Sequence, residues 1–114
     1  MLYINTYLDK IGELIRGEVD PRIAFELTDE TKIAKMFEND CKKIVQMYRS
    51  GEASYEDVKR NLTLLRSYVV TQLELHFEKI KEFARSKGVE IDKTLDPAVV
   101  NEIALYINKT EKEL

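Results

Sequence analysis

Between Ser54 and Gly88, apolar residues recur at the three- and four-residue spacing of a single helix face: Val58, Leu62, Leu65, Val69, Leu73, Phe77, Ile80 and Ala84. Ser54 is placed to cap this helix, with Asp57 three positions later as an acidic form of the capping box. Gly88 stands where a left-handed residue ends a helix, and Arg85 and Lys87 suit the negative end of its dipole. A rod of residues 55–87 at 1.5 Å per residue spans roughly 50 Å. Leu64, Tyr68, Val70 and Leu75 lie off the main stripe, so the rod is apolar on more than one side. Such a helix is covered by several neighbours or by another chain. Its core spacing gains an extra step of four between Val69 and Leu73, a stutter that implies a change of packing partner there.

The rest of the chain arranges itself around that rod. Ile4, Tyr7, Leu8, Ile11, Leu14 and Ile15 share one face of a first helix over residues 2–16, closed by Gly17. Gly12 inside it costs about 1 kcal/mol relative to Ala, which points to a close neighbour. Asp20-Pro21 is a helix start signal, yet Ile23, Phe25 and Leu27 alternate as in a strand. A short helical turn or extended connector that turns Phe25 inward satisfies both. Thr28 is read as the cap of a second helix over residues 29–50, with Ile33, Phe37, Ile44 and Tyr48 as its stripe. The few residues between Gly51 and Ser54 make this helix and the rod antiparallel neighbours. Val89 and Ile91 pin the following loop, and Asp96-Pro97 opens a last helix over residues 97–112. The expected fold is therefore all-α: an antiparallel bundle of four main helices, about 2–16, 29–50, 55–87 and 97–112, around one long central helix. Residues 1–114 form a single helical domain with no separate β domain.

Composition bounds the function more than it identifies it. The formal net charge of −3 argues against a dedicated nucleic-acid binder. Cys41 is alone, which excludes an intrachain disulfide and fits a reducing cytoplasm. No apolar run approaches a membrane span, and the start MLYINTYLDK lacks a signal-peptide pattern. Abundant Glu and Lys lean toward a thermophile. His76 stands two residues from both Glu74 and Glu78, a spacing that turns the side chains to different sides, so no metal site is expected. Cys41 reads as a buried structural thiol rather than a nucleophile, despite Lys42 and Lys43 beside it. No carboxylate pair in an apolar pocket and no phosphate-cradling glycine loop is visible, so neither catalytic nor cofactor-binding residues are assigned. Lys42, Lys43, Arg49, Lys59, Arg60 and Arg66 cluster around the helical hairpin and are candidate phosphate contacts. The competing reading is a solvated mixed surface with pairs such as Glu56–Arg60.

The order of features carries a resemblance. A first helix ends Glu13-Leu14-Ile15-Arg16, and Leu64-Leu65-Arg66 follows a helix rich in Lys and Glu. Then comes the run from Gln72 to Ala84, ending Lys79-Ile80-Lys81-Glu82-Phe83-Ala84, and Leu95-Asp96-Pro97 opens the final helix. This pattern resembles the helical A-domain of GINS subunits, the replication factors of archaea and eukaryotes. The resemblance implies an archaeal, nucleoid-associated, non-enzymatic scaffold. It would assemble with other subunits and bridge the MCM replicative helicase to a RecJ-like protein in DNA replication. GINS subunits usually carry a small β-rich domain as well, and none is visible here. Leu64, Tyr68, Val70, Leu73 and Leu75 are the expected protein interface. The alternatives are an unrelated helical adaptor or homodimeric interaction protein, with nucleic-acid association resting only on the basic hairpin.

Overall fold

The computed structural model describes residues 2–114, and those residues form six α-helices and one 3-10 turn with no strand. The first helix, α1 (Thr6–Ile15), starts four residues later than its periodicity suggests. Asn5 is the reason. It takes an extended backbone, and its side-chain oxygen accepts from the Leu8 N–H at 3.0 Å, capping the helix there. The residues before it dock across the bundle instead. Asn61 accepts from the Ile4 N–H at 2.6 Å and donates to the Ile4 carbonyl at 3.2 Å. Asp40, also buried, accepts from both the Thr6 N–H and the Thr6 hydroxyl at the positive end of α1. Over Gly12 lies the Arg16 side chain of the same helix turn, where a neighbouring helix was expected.

Asp20 caps a 3-10 turn (Pro21–Ile23) that runs directly into α2 (Ala24–Leu27). The connector is helical, so Ala24 and Leu27 face the core and Phe25 is left 46% exposed, opposite to its expected direction. Next, α3 (Glu30–Arg49) is capped by Asp29, not Thr28. A hydroxyl can donate as well as accept, and Thr28 donates to the Ala24 carbonyl at 2.7 Å within the core.

The predicted rod is two helices, α4 (Tyr55–Thr71) and α5 (Leu73–Ser86), parted at Gln72. Three β-branched residues, Val69, Val70 and Thr71, crowd the last turn of α4. The Thr71 hydroxyl also donates to the Ser67 carbonyl at 2.7 Å, a bond that bends helices. The partner changes as the stutter implied: α4 packs on α3 and α6, and α5 packs on α2. After α5, Gly88 at φ +81° lets the Val89 N–H reach the Ala84 carbonyl at 2.8 Å and ends the helix. Ile91 and Leu95 anchor the loop in the core.

The last helix, α6 (Pro97–Lys112), begins beside the start of α3, because Glu30 accepts from the Asp96 N–H at 2.9 Å. It runs parallel to α3 and antiparallel to α4, resting on both. One core joins all six helices, so the all-α bundle expected from the sequence is the fold observed. Asn61→Ala leaves both backbone groups of Ile4 without their partner and is expected to cost about 2 kcal/mol. Urea unfolding followed by circular dichroism measures that loss.

Candidate interaction surface

The apolar girdle expected as an interface is divided between core and surface on both sides of Gln72. Tyr68 and Leu73 are 6% and 0% exposed and belong to the core. The Tyr68 ring packs against Tyr7 and Phe37. Leu64, Val70 and Leu75 remain on the surface, at 41%, 64% and 51% exposure. A helix that bends and gains two neighbours uses residues from more than one stripe, so the extra apolar width of the sequence is partly core.

The six candidate phosphate contacts do not form one patch. Lys42 and Arg49 line one side of α6, and Lys59 and Arg66 line the other. Carboxylates already engage three of them. Lys42 pairs with Glu38 at 3.0 Å, Arg60 with Asp57 at 3.1 Å, and Arg66 with Glu111 at 2.8 Å. Lys59 stands 6.0 Å from the centre of the Tyr55 ring, and Lys43 is exposed on α3. Arg60 pairs with Asp57, three residues before it, and not with the expected Glu56, four before it.

His76 is half-buried, and its Nδ1 meets the Tyr68 hydroxyl at 2.7 Å across the α4–α5 break. Burial first, and the nearby Lys79 charge second, hold its pKa below the ordinary histidine value. Cys41 is fully buried, and that burial pushes its thiol up to about 11, far from a working nucleophile. Among the described residues no three metal-ligating side chains gather. No described helix is long and apolar enough to cross a membrane.

A longer concave feature lies elsewhere. A groove runs between the parallel helices α3 and α6 as three depressions of about 500, 270 and 340 Å³. Neighbouring depressions share Ala34, Glu38 and Glu102, then Tyr106. Phe37, Ile103 and Cys41 are buried beneath it, while Val99 and Tyr106 are half-buried along it. Lys32, Lys35, Lys42 and Arg49 stand on the α3 wall with Glu30 and Glu38. The α6 wall contributes Glu102 and Glu113 and no cation. Among the described residues no ion pair crosses the groove. Sequence reasoning missed it because a groove between helices distant in sequence exists only after packing. The wide apolar stripe of α6, with Leu105 off it, was the available signal.

Leu73→Glu places a charge in the core and is expected to cost about 4 kcal/mol or more. Leu75→Glu on the surface stays within about 0.5 kcal/mol. Thermal unfolding of the two variants separates core from surface. Because His76 has a lowered pKa when folded, its contribution to stability is fully present above the ordinary value of 6.5 and falls as pH drops through the folded pKa. The melting temperature should therefore decline more steeply on acidification in the parent chain than in His76→Gln.

Comparison with known proteins places this architecture. An uncharacterized protein of Archaeoglobus fulgidus is 55% identical over 114 residues, covering the whole of both chains. The solved structure described as predicted coding region AF0941 from the same organism superposes with a TM-score of 0.98 at 55% identity, covering 100% of this chain and 98% of that one. The AF0941-like family matches residues 1–114. That match overturns the GINS resemblance, which rested on helix order, a property that helical bundles share without kinship. The assembly with other subunits and the helicase and RecJ-like partners implied by the resemblance lose their basis with it. The chain belongs to the AF0941-like family.

Proposed function

We propose that this protein is a non-catalytic helical interaction module, an adaptor that holds another polypeptide along the α3/α6 groove and makes or breaks no bond. One observation carries the reading: a groove along two helices with an apolar floor and charged walls. Protein interfaces have the same anatomy, a water-excluding apolar centre inside a polar rim. Tyr106 stands at the junction of two depressions, half-buried, with an apolar ring and a hydroxyl near the Glu38 and Lys42 charges. Aromatic residues so placed carry much of the binding energy in interfaces. The chemistry-bearing side chains support the same reading. His76 is engaged by Tyr68 at the helix break, and Cys41 is buried.

A photo-crosslinking side chain at the groove, Tyr106→benzoylphenylalanine, tests this in the source cell, with Phe25→benzoylphenylalanine as the control outside the groove. A polypeptide adduct of defined mass is expected from position 106 and not from position 25. Adducts only to nucleic acid, or none at 106, would overturn the proposal.

A further inference from the structure

We propose that the occupant of the α3/α6 groove is α6 of a second copy of this chain, in a two-fold dimer whose axis runs along the groove. This rests on the reading of the groove as a polypeptide-binding surface and names the partner.

The charge arrangement selects the occupant. A two-fold axis parallel to both helices sets the α3 wall of one copy against the α6 wall of the other, and keeps each residue at its own level. An isologous contact requires that kind of self-complementarity. Lys35 and Glu102 line the same depression at one end of the groove, and Arg49 and Glu113 share the depression at the other. Within one chain neither Glu102 nor Glu113 has an ion-pair partner among the described residues, whereas Lys35 shares the single carboxylate of Glu38 with Lys42. In the dimer Lys35 meets the partner's Glu102, Arg49 meets the partner's Glu113, and each contact occurs twice. Complementary walls of this kind fix register and disfavour other partners.

The apolar surface fits the same arrangement. Leu105 is 56% exposed on α6, whose other large apolar residues are buried or half-buried. It lies at the level of the central depression, which is lined by Ala34, Phe37, Ile103 and Tyr106. With α6 of each copy lying in the groove of the other, Leu105 enters that depression twice. A helix of 16 residues in a groove of matching length buries on the order of 1,000 Å² in total, the lower bound for a specific interface. The dimer is accordingly expected to dissociate at micromolar concentrations.

Sedimentation equilibrium of the full chain from about 1 µM to about 1 mM tests this. The mass should rise from 13.3 kDa toward twice that value. Leu105→Asp, on an exposed site, should weaken association by about tenfold or more with the circular dichroism unchanged. Glu102→Lys and Lys35→Glu should each weaken it by about tenfold, and the double variant should recover most of the loss. A mass of 13.3 kDa throughout, or a dimer indifferent to Leu105→Asp, would overturn the dimer. A monomer whose groove crosslinks to a different polypeptide would also overturn it, while leaving the interaction-module reading intact.

Discussion

Three aromatic rings meet where α1, α3 and α4 come together, and the bundle depends on that meeting. The Tyr7 centroid lies 6.0 Å from Phe37 and 6.4 Å from Tyr68, and Phe37 lies 6.1 Å from Tyr68. Tyr7 is wholly buried, a position that would strand its hydroxyl without a partner. It donates instead to the Leu27 carbonyl at 2.8 Å, one of the carbonyls left free at the end of α2. One side chain thus joins three helices by packing and a fourth by a hydrogen bond. Burial drives the pKa of that hydroxyl, and of the Tyr68 hydroxyl, well above the ordinary tyrosine value. Both hydroxyls therefore stay protonated at neutral pH.

The buried polar groups set direction where apolar packing alone leaves choices open. Asp40 and Asn61 come from α3 and α4, and both reach the chain just before or at the start of α1. Together they fix where the chain turns from extended to helical. Glu30 does the same for α6 by accepting from the Asp96 N–H. Each carboxylate stands at the positive end of the helix it tethers. Setting α6 parallel to α3 in this way creates a long groove on one flank, its α3 wall mixed but richer in cations and its α6 wall acidic, the arrangement that the proposed dimer uses. On the other flank Arg66 ties α4 to α6 with bonds to Asn108 and Glu111.

The correction of family and the correction of the long helix share a physical origin. Period and order of helices were legible, but similar orders arise in unrelated bundles, because every amphipathic helix buries one stripe. The basic hairpin shows the same limit. Of six cations close in sequence, helix rotation sets four on two flanks of α6, and three of the six find carboxylates. Leu64, Tyr68, Val70 and Leu75 read as surplus to one stripe, with Leu73 on it. Which of them were core depended on the bend at Gln72 and on where α1 and α2 came to rest.

The sequence by itself determined the all-helical class, the positions of most helix ends and the core face of each helix. These follow from local chemistry: side-chain caps at Ser54 and Asp96, glycine at positive φ, and a period of 3.6 residues. The stutter also marked where the packing partner changes, although the rod read as continuous and is in fact parted at Gln72. Only the tertiary structure decided that Asn5 delays α1, that Thr28 turns into the core and that Phe25 faces out. It likewise decided that a long groove lies between α3 and α6, which the whole of α4 and α5 separates in sequence. The reason is common to all of these. A hydrogen-bonding group or an exposed stripe has several partners within local reach, and the choice among them is made by long-range packing, in which a buried polar atom must find a partner and an apolar one must leave water.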